Sequence, residues 1–367
     1  MRIGIDAHFV GVRHGGNEYV FENIIKALAA KPDAGEELFA FSLDLKAKDA
    51  FAASAVTLAP LRRKSVYLQR ALEIPALARK LDLDLIHVPF NFLPVGRCKK
   101  VVHIHDLAFL HLKDSFTFAE RQRMTWMTAF CSKRADHVFT ISEFSKRDIV
   151  GKYGIREDKV TVTPLAVDPA RFRVLLDEAK RDFLVRRNID FPFLLFVGTL
   201  QPRKNVLTLL KAFKALMAEG EKESHLVLVG RKGWIYEDLF RFIRENGMEK
   251  RVHHYEDVDA RDLTAFYNTA QALVFPSVFE GFGLPILEAM ACGCPVISAD
   301  ASAMPEVYGA AALGFSPLDA EGLMDRLRQL LGDPGLRDNL IRKGFLNNSR
   351  FSWADTAETV RKAYRAL

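Results

Sequence analysis

Two glutamates bracket the stretch Glu280-Gly-Phe-Gly-Leu-Pro-Ile-Leu-Glu288, and their spacing offers the most specific chemistry in this chain. The preceding Ala272-Leu-Val-Phe275 is a short apolar run closed by Pro276-Ser277, the pattern of a buried parallel strand. Pro285 suits the first position of a helix, where its missing N–H costs nothing, and Gly293 suits the C-terminal end. Pro295-Val-Ile-Ser298 then opens another strand. The unit reads strand, glycine loop, helix, strand. In open α/β sheets such loops lie at the carboxyl ends of strands and face the ligand crevice. Successive backbone N–H groups around Gly281 to Leu284 can approach an anionic or hydroxylated ligand closely. Glu280 in the loop and Glu288 in the first helical turn can then address one ligand, which suits a sugar nucleotide. One acid would grip ribose hydroxyls and the other the hydroxyls of the transferred sugar.

Arg203-Lys204 follow a strand that ends at Gly198 and precede a helix that begins near Asn205. A departing pyrophosphate accumulates negative charge, and two adjacent fixed cations can hold it without a metal. An isolated basic dipeptide is usually a solvated surface pair; the strand–glycine–turn context favours the phosphate role here. Gly15-Gly16 lie between the first strand and the first helix. They can admit a diphosphate or donor sugar to backbone amides, and equally can form a plain tight turn. The spacing is not that of the dinucleotide fingerprint. His103 and His105 share one face of a strand by period two, which raises a metal site of the His-x-His kind. Such sites open the first strand of a barrel, and this pair falls a hundred residues into the chain. Asp82-Leu-Asp84 sits at a helix-to-strand junction and Asp257-Val-Asp259 before a helix, where capping accounts for them without a metal. Cys292-Gly-Cys294 reads as close packing at a helix end.

Glu280 to Glu288 resembles the E-x7-E signature of the large retaining glycosyltransferase family numbered four, whose members have two Rossmann-like domains. The likeness extends over nearly the whole chain. Phe196-Val-Gly198 through Arg203-Lys204-Asn205 resembles that family's phosphate-binding strand and loop. Val138-Phe-Thr-Ile-Ser142-Glu-Phe-Ser145, Pro164-Leu-Ala-Val-Asp168 and Phe351-Ser-Trp353 are similar to further parts of it. The resemblance implies a GT-B fold, α/β with two doubly wound domains facing a central cleft. It implies an N-terminal acceptor domain, 1–168, joined by a C-terminal helix, 354–367, and a nucleotide-sugar domain, 169–353. It makes His105 and Glu280 the catalytic candidates. Donor contacts fall to Gly15, Gly16, Thr199, Arg203, Lys204, Val258, Phe282, Gly283, Leu284 and Glu288. Many relatives carry a basic residue where this chain has Thr199, so Arg203 supplies the second charge.

The implied activity is retaining, metal-independent transfer of a sugar from a nucleoside diphosphate to a hydroxyl of a glycan or lipid-linked acceptor. No cofactor is expected, because the sugar nucleotide is a substrate. Ile3-Gly-Ile-Asp-Ala-His8 and His105-Asp-Leu-Ala-Phe109 resemble mannosyltransferases of surface-polysaccharide assembly, which puts GDP-mannose first and a UDP-sugar second. A sugar-nucleotide epimerase of the same fold and a non-catalytic sugar-nucleotide-binding protein are the alternatives.

The bulk properties set the frame. At 367 residues the chain exceeds an ordinary single core, and 49% hydrophobic residues describe a globular protein. No apolar run is long enough to span a membrane, and Met1-Arg-Ile-Gly-Ile-Asp enters a strand directly rather than reading as a signal peptide. Four scattered cysteines suit a reducing cytoplasm. Residues 1–170 hold 25 Lys/Arg against 20 Asp/Glu, and the remainder 27 against 26. A basic N-terminal half, with the run Arg62-Arg63-Lys64, allows peripheral contact with an anionic inner-membrane surface; a merely soluble surface explains it as well. No nucleic-acid partner is expected.

Alternating apolar runs and helical patterns predict parallel sheets. Strands are expected at Arg2–Ala7, Leu38–Leu43, Leu85–Val88, Val101–His105 and Val138–Ile141, with helices at Glu18–Ala30, Leu61–Lys80, Ala119–Lys133 and Glu143–Tyr153. Val160–Phe172 reads as a linker. Strands at Phe193–Val197, Leu226–Val229, Val252–Tyr255, Ala272–Phe275 and Val296–Ser298 follow, with helices at Val206–Ala218 and Arg261–Asn268 among them.

Overall fold

A computed structural model describes residues 1–8, 10–11, 16–42, 50–52, 54–62, 65, 68–89, 96–112 and 115–367. The chain divides into two compact units: Met1–Leu165 with Ser352–Leu367, and Ala166–Phe351. The first division falls just upstream of the Asp168 boundary expected from sequence.

Among the described residues, the first unit holds seven parallel strands: β1 Arg2–Asp6, β2 Glu37–Ser42, β3 Val56–Pro60, β4 Leu85–Pro89, β5 Lys99–His103, β6 His137–Thr140 and β7 Val160–Val162. Their order is β3-β2-β1-β4-β5-β6-β7. The second unit holds β8 Phe193–Val197, β9 His225–Val229, β10 Val252–Tyr255, β11 Ala272–Phe275, β12 Val296–Ala299 and β13 Ala312–Phe315, in the order β10-β9-β8-β11-β12-β13. Both sheets are therefore doubly wound. Their switch points lie between β1 and β4 and between β8 and β11, where a crevice opens at the carboxyl ends of strands.

Several expectations need correction. Val160–Val162 is the edge strand of the first sheet and not linker; it pairs with β6 from Val138↔Val160 to Thr140↔Val162. β3 and β13 were not anticipated, being short and only partly buried. The helix expected over Leu61–Lys80 is shorter: Leu61 and Arg62 are not helical, a π turn spans Gln69–Glu73, and the α-helix runs Ile74–Lys80 with Pro75 in its first turn. Proline fits there and not deep inside a long helix. Strand β5 ends at His103, so His105 lies past the strand on the carboxyl side.

In the first unit, Ile86, Val88, Val102, Ile104 and Val138 alternate onto one apolar face of the sheet. The opposite face carries His87 and His103, both fully buried and stacked with ring centroids 5.5 Å apart. Phe21 and Phe139 pack around them. Tyr364, on the C-terminal helix Trp353–Arg365, sets its hydroxyl 2.6 Å from His87 Nδ1. The same helix buries Arg361, which donates to Glu36 Oε2 at 2.9 Å and to the Leu28 carbonyl at 2.9 Å. Thr356 donates to the Pro164 carbonyl at 2.6 Å. These bonds make the last helix part of the first unit.

Burial holds the His87 pKa down at about 3, and holds His103 well below the usual histidine range. Both imidazoles are neutral in the fold and take up protons only on unfolding. A depressed histidine pKa gives stability that is present at neutral pH and declines as pH falls below about 6.5, with a slope of about 1.4 kcal/mol per pH unit for each group. Moving from pH 7 to pH 5 is expected to cost about 4 kcal/mol from this pair. Calorimetric melting at both pH values checks this, and His103→Leu should show a visibly smaller drop.

Candidate functional site

The second unit's switch point brings the basic pair and the first glutamate together. Phe196 and Val197 end β8, and the loop passes Gly198 to a 3-10 turn, Pro202–Lys204. Asn205, at a left-handed φ of 53°, turns the chain into the helix Val206–Ala218. Its side chain donates to the Pro276 carbonyl at 3.0 Å, at the end of β11. Val278 N–H donates to the Arg203 carbonyl at 3.0 Å. The loops after β8 and β11 are thus bonded along their length.

Glu280 sits between the two bases. Lys204 Nζ donates to its Oε1 and Arg203 Nη1 to its Oε2, each at 2.6 Å. Arg203 also donates to the Phe279 carbonyl, and Lys204 lies 5.1 Å from the centre of the Phe275 ring. The Glu280 N–H donates to Ser302 Oγ at 2.8 Å. Burial alone would raise the Glu280 pKa, but Lys204 and Arg203 outweigh it and hold the carboxyl at about 2. At neutral pH two cations face one carboxylate, a net positive cluster of the kind that can receive a diphosphate.

Glycines permit this close assembly. Gly198 has φ 152° and Gly230, at the end of β9, has φ 147°. A Cβ on Gly230 would stand 2.1 Å from the Gly198 carbonyl oxygen, so the two backbones could not lie as they do. Gly283, at φ 108°, precedes the helix Leu284–Ala291. Leu284 opens that helix and Pro285 is its second residue, one position later than expected; Glu288 consequently lies in the second turn and not the first. Its Oε2 accepts from Tyr267 Oη at 2.7 Å. Burial raises the Glu288 pKa, with Tyr267 and Arg171 acting against it.

The remaining candidates are spread over both units. Phe282 is buried edge-on to Phe351, Leu284 is half-buried, and Thr199 is exposed in the loop after β8. Val258 is half-buried in the loop after β10. In the first unit His105 follows β5, 5.0 Å ring to ring from His103, and burial lowers its pKa to about 4. Gly16 opens the helix Gly16–Ala30. Gly15 lies outside the described residues.

Three supporting groups were not anticipated from sequence. Tyr267, on the helix Ala260–Thr269, and Ser302 reach the glutamates from other elements and carry no local signal. The third is the pair Asp6 and His8 at the end of β1, with His8 Nδ1 2.6 Å from Asp6 Oδ1 and both residues buried. An Asp-x-His following a first strand is the signal that could have marked them.

The Asp-x-Asp pairs have structural partners. Asp259 caps the helix Ala260–Thr269 through Asp262 N–H, and Asp257 pairs with Arg231 at 3.2 Å. Asp84 accepts from Arg2 N–H at 2.7 Å, while Asp82 takes a left-handed φ of 48°. Among the described residues no group of three or more His, Cys, Asp or Glu is arranged to hold a metal ion. Cys292 and Cys294 are buried and free, and burial pushes both thiols up, Cys294 to about 12.

Two family models match in succession: glycosyltransferase family 4 over residues 14–171, and glycosyl transferases group 1 over residues 179–346. The chain belongs to the family 4 glycosyltransferases. It is 29% identical over 295 residues to O-antigen chain mannosyltransferase B of Escherichia coli, covering 77% of this chain and 74% of that one. It is 28% identical over 291 residues to the serotype-specific mannosyltransferase WbdA of Escherichia coli, covering 78% of this chain but 35% of that longer protein. Among solved structures it is similar to a sucrose-phosphate synthase from Thermosynechococcus elongatus, with TM-score 0.78 and 21% identity over 100% of this chain and 99% of that one. It is also similar to HepE of Anabaena in complex with UDP-glucose, with TM-score 0.79 and 17% identity over the whole of both chains. These structural likenesses establish the GT-B fold. The family and the curated relatives make the chain a glycosyltransferase. No described helix is long and apolar enough to cross a membrane.

Removing one member of a buried ion pair leaves the other charge without compensation, at a cost of about 3–5 kcal/mol. Glu280→Gln is therefore expected to destabilise the second unit by about that much, as measured by urea unfolding. Adding Lys204→Met should recover part of the loss; strict additivity of the two substitutions would count against the coupling.

Proposed function

We propose that the chain is a retaining, metal-independent mannosyltransferase that moves mannose from GDP-mannose to a hydroxyl of a glycan or lipid-linked acceptor. The observation that carries this reading is the Lys204–Glu280–Arg203 cluster at the β8/β11 switch point, built on two loops that meet there. The mannosyl assignment draws on the relatives' names, and a UDP-sugar is the second candidate.

In this reading the diphosphate lies against Arg203 and Lys204, with the N–H groups at Gly283 and Leu284 nearby. The bond from the sugar's anomeric carbon to the phosphate oxygen breaks, and its electron pair stays on the phosphate. The acceptor oxygen bonds to the same face of that carbon, and its proton passes to the departing phosphate oxygen. Fixed positive charge stabilises the leaving group, which is the main catalytic contribution. Glu288 holds ribose hydroxyls from its place behind Tyr267, and Glu280 holds hydroxyls of the transferred sugar. His105, neutral above pH 5 because burial lowers its pKa to about 4, serves that sugar as a hydrogen-bonding group and not as a cation.

Lys204→Ala is expected to remove about 2–4 kcal/mol of transition-state stabilisation, a fall of about 10²–10³ in rate. Transfer of radiolabelled mannose checks it, and a rate within about threefold of wild type would refute the phosphate role. A thermal-shift panel of GDP- and UDP-sugars, run beside it, decides the donor.

Activity is also expected to survive EDTA, because Arg203 and Lys204 stand where a divalent cation would otherwise neutralise the diphosphate. Complete loss on chelation, restored by magnesium or manganese, would overturn metal independence.

A further inference from the structure

The helix Phe118–Arg134 turns an unusual face to solvent. Thr128, Cys131 and Ser132 are buried, and Met124 packs against the first unit's core. The opposite side, which ought to be polar, carries Trp126 at 69% exposure and Phe130 at 44%. The two rings stack on each other with centroids 5.6 Å apart. Arg134 lies over the Phe130 ring at 5.8 Å, and Phe118, 70% exposed at the helix start, lies under Arg121 at 5.7 Å. At 3.6 residues per turn, Arg123, Trp126, Phe130, Lys133 and Arg134 fall within roughly 100° of the circumference. All five are exposed. The helix has four basic residues and one acid, Glu120, whose carboxylate closes the capping box with Thr117.

We propose that this face is a docking surface for a bilayer with anionic headgroups. Three features select that occupant. Trp126 and Phe130 stand on a convex stripe about 17 Å long from Arg123 to Arg134, which is the shape of a helix lying in an interface and not of a pocket for a small ligand. Arginine and lysine flank the rings, so the aliphatic stems and aromatic bodies enter the headgroup boundary while the charges meet lipid phosphates. The charge is of one sign, complementary to an anionic surface and repulsive toward a second copy of the same face. This places the membrane contact on Phe118–Arg134 and not on the run Arg62-Arg63-Lys64 expected from sequence. Arg63 and Lys64 lie outside the described residues, and the Arg62 N–H donates to Glu73 at 2.6 Å.

Sedimentation with phosphatidylcholine vesicles, with and without phosphatidylglycerol, tests this on the full chain. Binding is expected only with phosphatidylglycerol, and should weaken as salt rises. Trp126→Ser with Phe130→Ser should lower it about tenfold or more. Arg123→Ser, Lys133→Ser and Arg134→Ser together should lower it about a hundredfold, at about fivefold per cation. Both sets alter only exposed side chains, and unchanged circular dichroism would show that they fold. Both should transfer sugar to a soluble acceptor at the wild-type rate. Equal binding to pure phosphatidylcholine, or binding untouched by either set, would overturn the proposal. So would loss of binding only on changing Arg62, Arg63 and Lys64, or dimers in sedimentation velocity that Trp126→Ser with Phe130→Ser dissociates.

Discussion

The second unit depends on one carboxylate. Lys204 is only 8% exposed, and an ammonium that deep is not tolerated without a partner. Glu280 supplies it, and in doing so ties the loop after β8 to the loop after β11. The two segments are more than seventy residues apart in sequence and become neighbours only because β11 pairs with β8 at the point where strand order reverses. Fold and site are therefore one constraint: the sheet topology delivers the carboxylate to the cations, and the ion pairs fix the loops in return. Close backbone approach matters beside it as well: a Cβ on Gly230 would collide with the Gly198 carbonyl oxygen, so glycine there lets the chain leaving β9 pass the loop that carries the cations.

The first unit solves a different problem. Its sheet face under the C-terminal helix is built from His87, His103, Phe21, Phe139 and Tyr364, a polar-aromatic core in which the histidines are kept neutral by burial. Tyr364 gives one of them a hydrogen bond across 277 residues of sequence. Arg361 does for the helix what Lys204 does for the loops, engaging Glu36 and the Leu28 carbonyl. A chain end is anchored by directional bonds here, and the terminal helix cannot slide by a turn without leaving a buried guanidinium uncompensated.

Sequence reasoning read the strands of the sheet centres well, because those strands are apolar on both faces and stand out from their surroundings. Phe193–Val197 and Ala272–Phe275 have the bounds expected, and the expected Leu226–Val229 falls one residue short of His225–Val229. Of the four edge strands among the described residues, Val252–Tyr255 was read with its bounds and three escaped: Val56–Pro60 and Ala312–Phe315 alternate weakly, and Val160–Val162 is only three residues long and precedes a proline-bearing stretch. Arg203, Lys204 and Glu280 were legible as charged residues in glycine loops, since burying a charge near a strand end has few other uses. Their mutual pairing was not legible, because it depends on which strands are neighbours. Tyr267 and Ser302 were hidden for the same reason: each reaches a glutamate through space from an element that looks ordinary by itself.

The Lys204–Glu280–Arg203 cluster also links stability to chemistry. A carboxylate held at about pKa 2 remains ionised through any physiological pH, so its hold on the two bases does not vary with protonation. What can change that hold is another anion. In the proposed reading a diphosphate, with more charge and more oxygens than one carboxylate, would compete for the same two cations. Each bond it takes from Glu280 loosens that carboxylate toward other donors, and sugar hydroxyls are donors of the right kind. The residue that orders the cations and the residue proposed to meet the transferred sugar can therefore be the same one, acting through the exchange of one set of hydrogen bonds for another. Such an exchange preserves the buried charges throughout, which a site of two bases without an internal carboxylate could not do.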